Sequence, residues 1–267
     1  MKYSILVLFF VLFCGAAEAQ PLDDIVERKL VSQRRVLAYP PVREGDIFWE
    51  ERVWRVLDVR EKMNLPFAYP VQPFFGLLAE GALNGDLTLY SAEDDSFAFP
   101  LDKSDLDGIL FRRDTFEVIN PVTQARELRV AIDEIDYEKV RRFRIKEVWF
   151  FDEQRSALQV RIIGIAPLIE VFDDHGNFRY ERPLFWVHYP SIREYLAQFK
   201  VYIPGNDSTT LSWEDWMELR FFSSTIYKTS NIHDRALREY LQGVDLLHEA
   251  DKRKQEIFNF EQDLWSR

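Results

Sequence analysis

Four charged residues crowd into one half-apolar segment, LDVREKMNLP, and three of them, Asp58, Arg60 and Glu61, are the first candidates for acid–base chemistry. Asp58 and Glu61 are the carboxylates, and Arg60 stands between them. Two carboxylates can serve as general acid and general base when burial and nearby charges separate their pKa values. On a helix, however, Asp58 would lie one turn from Lys62 and form an ordinary ion pair with it. We favour the ion pair; a hydrolase that uses Asp58, Glu61 or His188 is the alternative.

The histidines and the acidic turns do not have the spacing of a metal site. None of the four histidines lies within five positions of another: His175, His188, His233 and His248. Zinc sites usually draw their ligands from closer pairs. The run Asp173-Asp174-His175 lacks the alternating oxygens around a glycine that calcium loops use, so it is interpreted as a turn between strands. Without a G-x-S-x-G, P-loop, G-x-G-x-x-G or H-E-x-x-H motif, the sequence predicts no catalytic residue, no cofactor and no metal ligand.

Residues 1–19 have the pattern of a secretory signal peptide. Lys2 gives the positive start, Ile5 to Phe13 form an apolar run, and Ala17-Glu18-Ala19 fits a small-x-small cleavage site. The apolar run is too short to remain in a bilayer as a spanning helix. Cys14, the one cysteine, leaves a lipoprotein as the alternative, but a bulky residue precedes it where lipidation requires a small one. Cleavage after Ala19 would leave a mature chain without a thiol for a disulfide or a soft metal.

The charge balance excludes some classes of partner. The formal net charge is −11 at pH 7, and the carboxylates are dispersed along the chain. Nucleic-acid binding requires a concentrated basic face, and anionic lipid surfaces attract polybasic segments, so neither is expected. An aromatic content of 15% can fill one sizeable core. We therefore expect one domain from residue 20 to 267, with two sub-lobes, 20–140 and 141–267, as an option.

The clearest secondary structure is an antiparallel β-meander from about residue 144 to 188. Its first arm, Arg144 to Phe151, is aromatic and β-branched, and a polar turn separates it from a second arm through Val160 and Ile165. Pro167 cannot donate a hydrogen bond, so it must end that arm or lie at a bulge or an edge. A third strand is predicted from Phe178 to His188.

Helices are expected around the meander, which makes the predicted fold class α+β. The segments predicted as helical are 47–62 after an Asp46 N-cap, 73–83 closed by Asn84-Gly85, 101–111, 191–198 capped by Ser191, a helix after the near-capping box Ser212-x-x-Asp215, and 234–250. A strand from Val53 to Val59 is the alternative for the first of these, because its apolar residues also alternate.

The tryptophans give a candidate partner interface. Trp213 and Trp216 lie three positions apart and would share one helix face, and Trp265 lies near the end of the sequence. Most tryptophans are expected in the core, where large aromatic side chains dominate burial. Tryptophan is also enriched at interaction hot spots. Trp213, Trp216 and Trp265 are therefore predicted to include at least one partner contact.

Several longer stretches, in order along the chain, resemble the GldN family, also called PorN. They are RVWRVLDVREKMNLPFAYP (Arg52–Pro70), LLAEGALNGDLTLYS (Leu77–Ser91), KEVWFFDEQRSALQVRIIGIAP (Lys146–Pro167), PSIREYLAQFKVYIPGND (Pro190–Asp207), LSWEDWMELRFFSSTIYKTSN (Leu211–Asn231) and IFNFEQDLWSR (Ile257–Arg267). The resemblance implies a non-enzymatic component of the type IX secretion and gliding-motility machinery.

The resemblance also implies a location and a set of partners. It implies a periplasmic protein at the inner face of the outer membrane, which forms rings with a GldK/PorK-type lipoprotein and contacts a GldM/PorM-type motor protein. As a ring subunit it would be required for protein export and, in gliding species, for motility. A free periplasmic hydrolase and an accessory module for one exported cargo remain the alternatives.

Overall fold

The computed structural model describes residues 33–119, 126–173, 175–206 and 208–265. Nine strands lie in these ranges: β1 Ile47–Asp58, β2 Leu89–Tyr90, β3 Phe111–Ile119, β4 Arg126–Glu134, β5 Arg142–Asp152, β6 Ala157–Phe172, β7 Phe178–Pro183, β8 Trp186–His188 and β9 Thr225–Thr229. The α-helices there are α1 Phe74–Asn84, α2 Lys103–Leu110, α3 Tyr189–Leu196, α4 Trp213–Glu218 and α5 Gly243–Trp265. Short 3₁₀ helices span Glu44–Asp46, Lys62–Ala68, Tyr137–Lys139 and Leu237–Glu239. The predicted signal peptide lies outside the described residues.

One antiparallel sheet of seven strands forms the centre of the molecule. Its strand order is β2-β8-β6-β5-β1-β9, and β7 pairs with β6 beside β8. The predicted α+β class is confirmed, and so is the meander, which consists of β5, β6 and the β7–β8 segment. Strands β3 and β4 form a separate two-stranded hairpin that the sequence did not predict. Because β1 pairs with β5 along its whole length, the sheet draws strands from both of the suggested sub-lobes.

The helix predicted after Asp46 was wrong, and the strand alternative was right. Strand β1 pairs with β5 on one side and with β9 on the other. Val53 and Leu57 lie on the same buried face of this strand. Residues four positions apart share a face both on a helix and on a strand, because four is an even number. Spacing alone therefore could not distinguish the two, and the sheet partners decided the outcome.

Strand β6 changes its outer neighbour at Pro167. Gly164 and Ile165 pair with β8, whereas the strand from Leu168 onward pairs with β7. Between them the carbonyl of Pro167 accepts the Leu184 N–H at 2.9 Å. The missing N–H of proline thus faces the short break between β7 and β8, where no ladder hydrogen bond is lost. The predicted third strand exists, but this break divides it.

The main hydrophobic core lies between one face of the sheet and the helices α1, α3 and α4. Its centre is aromatic: the Trp213 ring packs against Phe74 with centroids 4.6 Å apart and against Phe67 at 4.9 Å. Phe143 of β5 meets Phe74 edge-on at 5.5 Å. Edge-to-face aromatic pairs add about 0.5–1.5 kcal/mol to the burial of their area. This packing fixes the position of α4 on the sheet.

Several predicted helix boundaries need correction. Helices α1 and α2 lie where they were predicted, and Gly85 ends α1 in the left-handed conformation. Helix α3 begins at Tyr189 with His188 at the N-cap, so Ser191 lies inside the first turn and does not cap it. The predicted 234–250 helix was placed too early, because α5 runs from Gly243 to Trp265.

The predicted capping box is confirmed. The Ser212 N–H donates to Asp215 Oδ2 at 2.8 Å, and the Asp215 N–H donates to Ser212 Oγ at 3.2 Å. Within the part of the chain that the structure describes, no helix combines the length and the apolar composition that a membrane crossing needs.

Candidate functional site

Asp58 lies at the end of β1, where two arginines hold it. Arg60 Nε donates to Asp58 Oδ1 at 2.8 Å, and Arg142 Nε donates to Oδ2 at 3.0 Å. Arg142 also donates to Glu181 at 2.8 Å. The hydrogen bond from Arg60, more than any other contact, holds the pKa of Asp58 well below its ordinary 3.8. A carboxylate that stays ionised in this way cannot donate a proton near neutral pH, so the geometry supports an ion-pair network, with Arg60 and Arg142 as partners in place of the predicted Lys62.

The other two residues of the hydrolase alternative are not brought to Asp58 as a catalytic group. Glu61 is exposed next to a 3₁₀ helix, and its backbone N–H donates to the Asp58 carbonyl at 3.2 Å. His188 is half-buried, its Nδ1 is hydrogen-bonded to Ser191 Oγ, and burial lowers its pKa below 6.5. Among the described residues, no three His, Cys, Asp or Glu side chains gather into a possible metal site.

Two of the three tryptophans of the predicted interface lie in the core. The side chain of Trp213 is 1% exposed and that of Trp216 is 9% exposed. A partner could reach these indoles only if the core opened. Trp265 is the last residue of α5, and its side chain lies outside the described part of the structure. The predicted partner contact of Trp265 therefore stays a prediction.

An exposed aromatic surface lies instead on the hairpin of β6 and β7. Within the part of the chain that the structure describes, these two strands pair only with each other beyond Leu168, so the hairpin extends past the other described strands. Phe172, Phe178 and Tyr180 are 52%, 57% and 47% exposed. Phe172 and Phe178 face each other edge-on with ring centroids 6.3 Å apart. Among the described strands, β7 pairs with β6 alone, so its outer edge is free.

The tip of this hairpin is held by the acidic turn that sequence reasoning identified. Asp173 Oδ1 accepts the backbone N–H groups of His175 at 2.9 Å and Asn177 at 2.8 Å. Gly176 supplies the left-handed conformation, with φ of +79°. The turn interpretation of this run is therefore confirmed. The Asp173 carboxylate accepts hydrogen bonds from the backbone, and these bonds fix the turn of the hairpin that presents the aromatic rings.

A buried charge cluster that sequence reasoning missed lies on the face of the sheet that α5 covers. Glu147 of β5 is fully buried, and its Oε2 accepts from Arg55 Nε at 3.0 Å and from Trp149 Nε1 at 2.9 Å. Arg220, just after α4, brings a second guanidinium to 2.8 Å from Glu147 Oε1. A signal was present in the sequence: in VWRVL and IKEVW, a charge takes an inward position between apolar neighbours.

A comparison with models of known protein families agrees with the resemblance that the sequence shows. The family profile described as "Gliding motility associated protein GldN" matches residues 42–266. The chain belongs to the GldN family. The match covers every strand and helix named above, and it makes this protein a component associated with gliding motility and secretion. No curated protein matches the chain.

The described segment before the GldN match docks onto the matched domain. The Tyr39 hydroxyl donates to Glu218 at 2.6 Å, and the Arg193 guanidinium lies 3.9 Å from the Tyr39 ring centroid. Arg161 of β6 donates to the Pro40 carbonyl at 2.7 Å. This segment, residues 33–41, therefore joins β6 to the helices α3 and α4 as a strap. It covers polar groups that the GldN-family domain would otherwise leave to solvent.

Proposed function

We propose that this GldN-family protein is a structural subunit of a periplasmic ring of the type IX secretion system at the outer membrane. In this role it assembles with a GldK/PorK-type lipoprotein, contacts a GldM/PorM-type motor protein, and is required for export of cargo and, in gliding species, for motility. Membership of the GldN family supports the assembly role. The observation that carries the proposal in this chain is the exposed aromatic hairpin of β6 and β7.

The hairpin has the properties of a protein-binding element. Aromatic residues are enriched in the cores of protein interfaces, where they supply area and specific geometry. The free edge of β7 adds a row of backbone donors and acceptors that can pair with a strand of another chain. An edge left open in this way is a liability for a free monomer, and assembly would cover it.

The same geometry suits a closed ring. A hairpin that projects on one side of a subunit forms a head-to-tail contact with a different surface of its neighbour. Such heterologous contacts close into rings when the rotation between subunits allows it. The ring contact proposed here therefore places Phe178 and Tyr180 against another subunit or the lipoprotein.

The test is a measurement of mass. The chain from Gln20 to Arg267 is purified with and without its GldK-type lipoprotein, and mass is determined by light scattering. A complex of very high mass that forms only with the lipoprotein supports the proposal. A monomer whose mass ignores the lipoprotein contradicts it, and an assay of Asp58 and Glu61 variants for hydrolase activity would then follow.

A matched pair of variants assigns the contact to the hairpin. Phe178→Asp places a charge on the aromatic surface, whereas Phe99→Asp changes an equally accessible phenylalanine, 64% exposed, outside the hairpin. We expect Phe178→Asp to lower the mass of the complex and Phe99→Asp to leave it unchanged. Equal masses for the two variants would remove the hairpin from the interface while leaving assembly itself intact.

A further inference from the structure

A cavity of about 440 Å³ lies over the buried charge cluster, between α5, the sheet and the loop after α4. We name it the Arg55–Arg220 pocket. Its wall combines three aromatic side chains with three cations: Trp149, Phe222, Phe258, Arg55, Arg220 and Lys254. Small-molecule and side-chain pockets of this kind, apolar with a few placed polar groups, commonly enclose about 300–1,000 Å³.

The charges at this pocket do not balance. Among the described residues, Glu147 is the one carboxylate paired with Arg55 and Arg220, so one of these two guanidinium charges has no counter-charge there. Lys254 at the rim adds another positive charge, and among the described residues it has no acidic partner. The chain as a whole carries a net charge of −11, so a local positive excess here is contrary to its overall composition.

The guanidinium groups also have unused donors. The side chain of Arg55 is 6% exposed, and its hydrogen bond to Glu147 uses Nε alone. Arg220 Nη1 is buried and has no hydrogen-bond partner among the described residues. An arginine carries five N–H donors, and a buried donor left unpaired costs free energy because it has lost its hydrogen bonds to water. A ligand that accepts these hydrogen bonds would recover that cost.

We propose that the Arg55–Arg220 pocket binds an organic carboxylate carried on an apolar or aromatic body. The planar guanidinium fork matches the two oxygens of a carboxylate. A single negative charge matches the one uncompensated guanidinium. The rings of Trp149, Phe222 and Phe258 provide the surface for the apolar body. This inference stands apart from the ring proposal, because it rests on a different face of the domain.

Two sources can supply this chemistry: a free organic acid, or the carboxylate of a polypeptide that ends in an apolar residue. The pocket recognises the group they share. Phenylacetate represents the free acid, and N-acetyl-Gly-Phe with a free carboxyl terminus represents the polypeptide. Tighter binding of one than of the other identifies the source, and either result supports the proposed carboxylate site.

The experiment titrates each probe into the full mature chain. Affinity is measured by calorimetry, and the Trp149 indole N–H resonance reports the location, assigned with Trp149→Phe. We expect phenylacetate to bind about tenfold or more tightly than phenylacetamide, since a hydrogen bond to a charged group contributes about 1.5–3 kcal/mol. Inorganic phosphate, which lacks the apolar body, is expected to bind more weakly than phenylacetate.

Matched variants test the site without disturbing the buried cluster. Lys254→Gln removes the exposed cation at the rim, and Lys252→Gln removes an exposed lysine of the same helix that does not line the pocket. We expect Lys254→Gln to weaken phenylacetate binding and Lys252→Gln to leave it unchanged. Equal binding of the acid and the amide, phosphate binding as tightly as phenylacetate, or equal effects of the two lysine variants would each overturn the proposal.

Discussion

Arg220 reaches Glu147 from a left-handed backbone conformation, with φ of +56° and 2.8 Å between Nη2 and Oε1. The Phe221 N–H donates to the Trp216 carbonyl at 3.0 Å, and the Arg220 N–H donates to the Met217 carbonyl at 3.1 Å. This is a Schellman ending of α4, in which glycine usually takes the left-handed position. An arginine there accepts backbone strain and delivers its guanidinium to a buried carboxylate.

The strain and the ion pair can be separated by two substitutions at this position. Arg220→Ala is expected to lower the free energy of unfolding by about 2 kcal/mol, because the ion pair with the buried Glu147 carboxylate is lost while Arg55 remains. Arg220→Gly loses the same contact but relieves the left-handed backbone, so it is expected to be about 1 kcal/mol more stable than Arg220→Ala. Urea unfolding measures both, and an alanine variant as stable as the glycine variant would rule out the strain.

A second pair of substitutions tests the packing of Phe97 and Trp186 against β6. This packing lies on the face of the sheet opposite to Glu147. A Cβ at Gly164 would lie 2.5 Å from Phe97 Cζ and 3.2 Å from Trp186 Cε3. Gly164→Ala is therefore expected to destabilise the fold by about 1–3 kcal/mol through overpacking.

Gly108, inside α2, gives the control. A Cβ there meets nothing within 4 Å. Gly108→Ala is expected to stabilise the protein by about 0.5–1 kcal/mol, because alanine favours the helix. Thermal unfolding of the two variants should move in opposite directions from the parent. A parent-like melting temperature for Gly164→Ala would show that Phe97 moves aside freely.

Asp58→Asn should give a difference in stability that depends on pH. The carboxylate accepts hydrogen bonds from Arg60 and Arg142, and its pKa is lowered from 3.8, mainly by Arg60. A depressed folded-state pKa means that the contribution is complete above the unfolded pKa and is lost as the pH falls below it. At pH 7 we expect Asp58→Asn to cost about 1–2 kcal/mol, with the gap narrowing below pH 4.

The neighbouring carboxylate is the control for that measurement. Glu61 is exposed, so Glu61→Gln is expected to change stability by less than about 0.5 kcal/mol. Urea unfolding of the parent and both variants between pH 7 and pH 2 gives the comparison. A constant gap between the parent and Asp58→Asn across that range would contradict the ion-pair network.

Tyr195→Phe tests how the stability of the fold depends on pH in the alkaline range. Burial raises the pKa of Tyr195 from 10.0 to about 12, and its hydroxyl donates to the Leu77 carbonyl at 2.9 Å. The unfolded chain releases this proton near pH 10 while the folded chain keeps it, so stability falls as the pH rises towards 12. Tyr195→Phe should cost about 1 kcal/mol at pH 8 for the lost hydrogen bond. The free energy of unfolding of the variant should also fall less steeply between pH 8 and pH 12 than that of the parent. Urea unfolding at several pH values measures both, and an equal fall for the two proteins would refute the prediction.

The parts of the fold that the sequence predicted are those where local signals agree with one another. The β5–β6 hairpin has aromatic and β-branched arms around a polar turn, and the Ser212–Asp215 capping box satisfies its own backbone donors. Gly85 ended α1 because only a residue without a Cβ adopts that conformation at no cost. Such features are specified within a few residues, so they can be identified without the tertiary structure.

The parts that were missed depend on distant partners. Strand β1 was predicted as a helix because its spacing of apolar residues fits both a helix and a strand. Its pairing with β5 and β9, which decides between them, cannot be identified from the local sequence. Glu147 and Arg220 are far apart in sequence, and nothing local indicates that they meet. Trp213 and Trp216 lie in the core, and their spacing in the sequence does not say which face of α4 the core covers. The predicted contact of Trp265 with a partner stays a prediction. Exposure of Phe178 likewise follows from where the sheet ends.

Strand β6 is one unbroken backbone from the sheet interior to the tip of the projecting hairpin. At about 3.3 Å per residue, such a strand is roughly 50 Å long. A pull on the tip is carried along this backbone into the ladder with β5, whose hydrogen bonds run across the strands. They bear that load together in shear and are not peeled apart singly. The hairpin is thus a mechanical tether anchored in the central strands of the sheet.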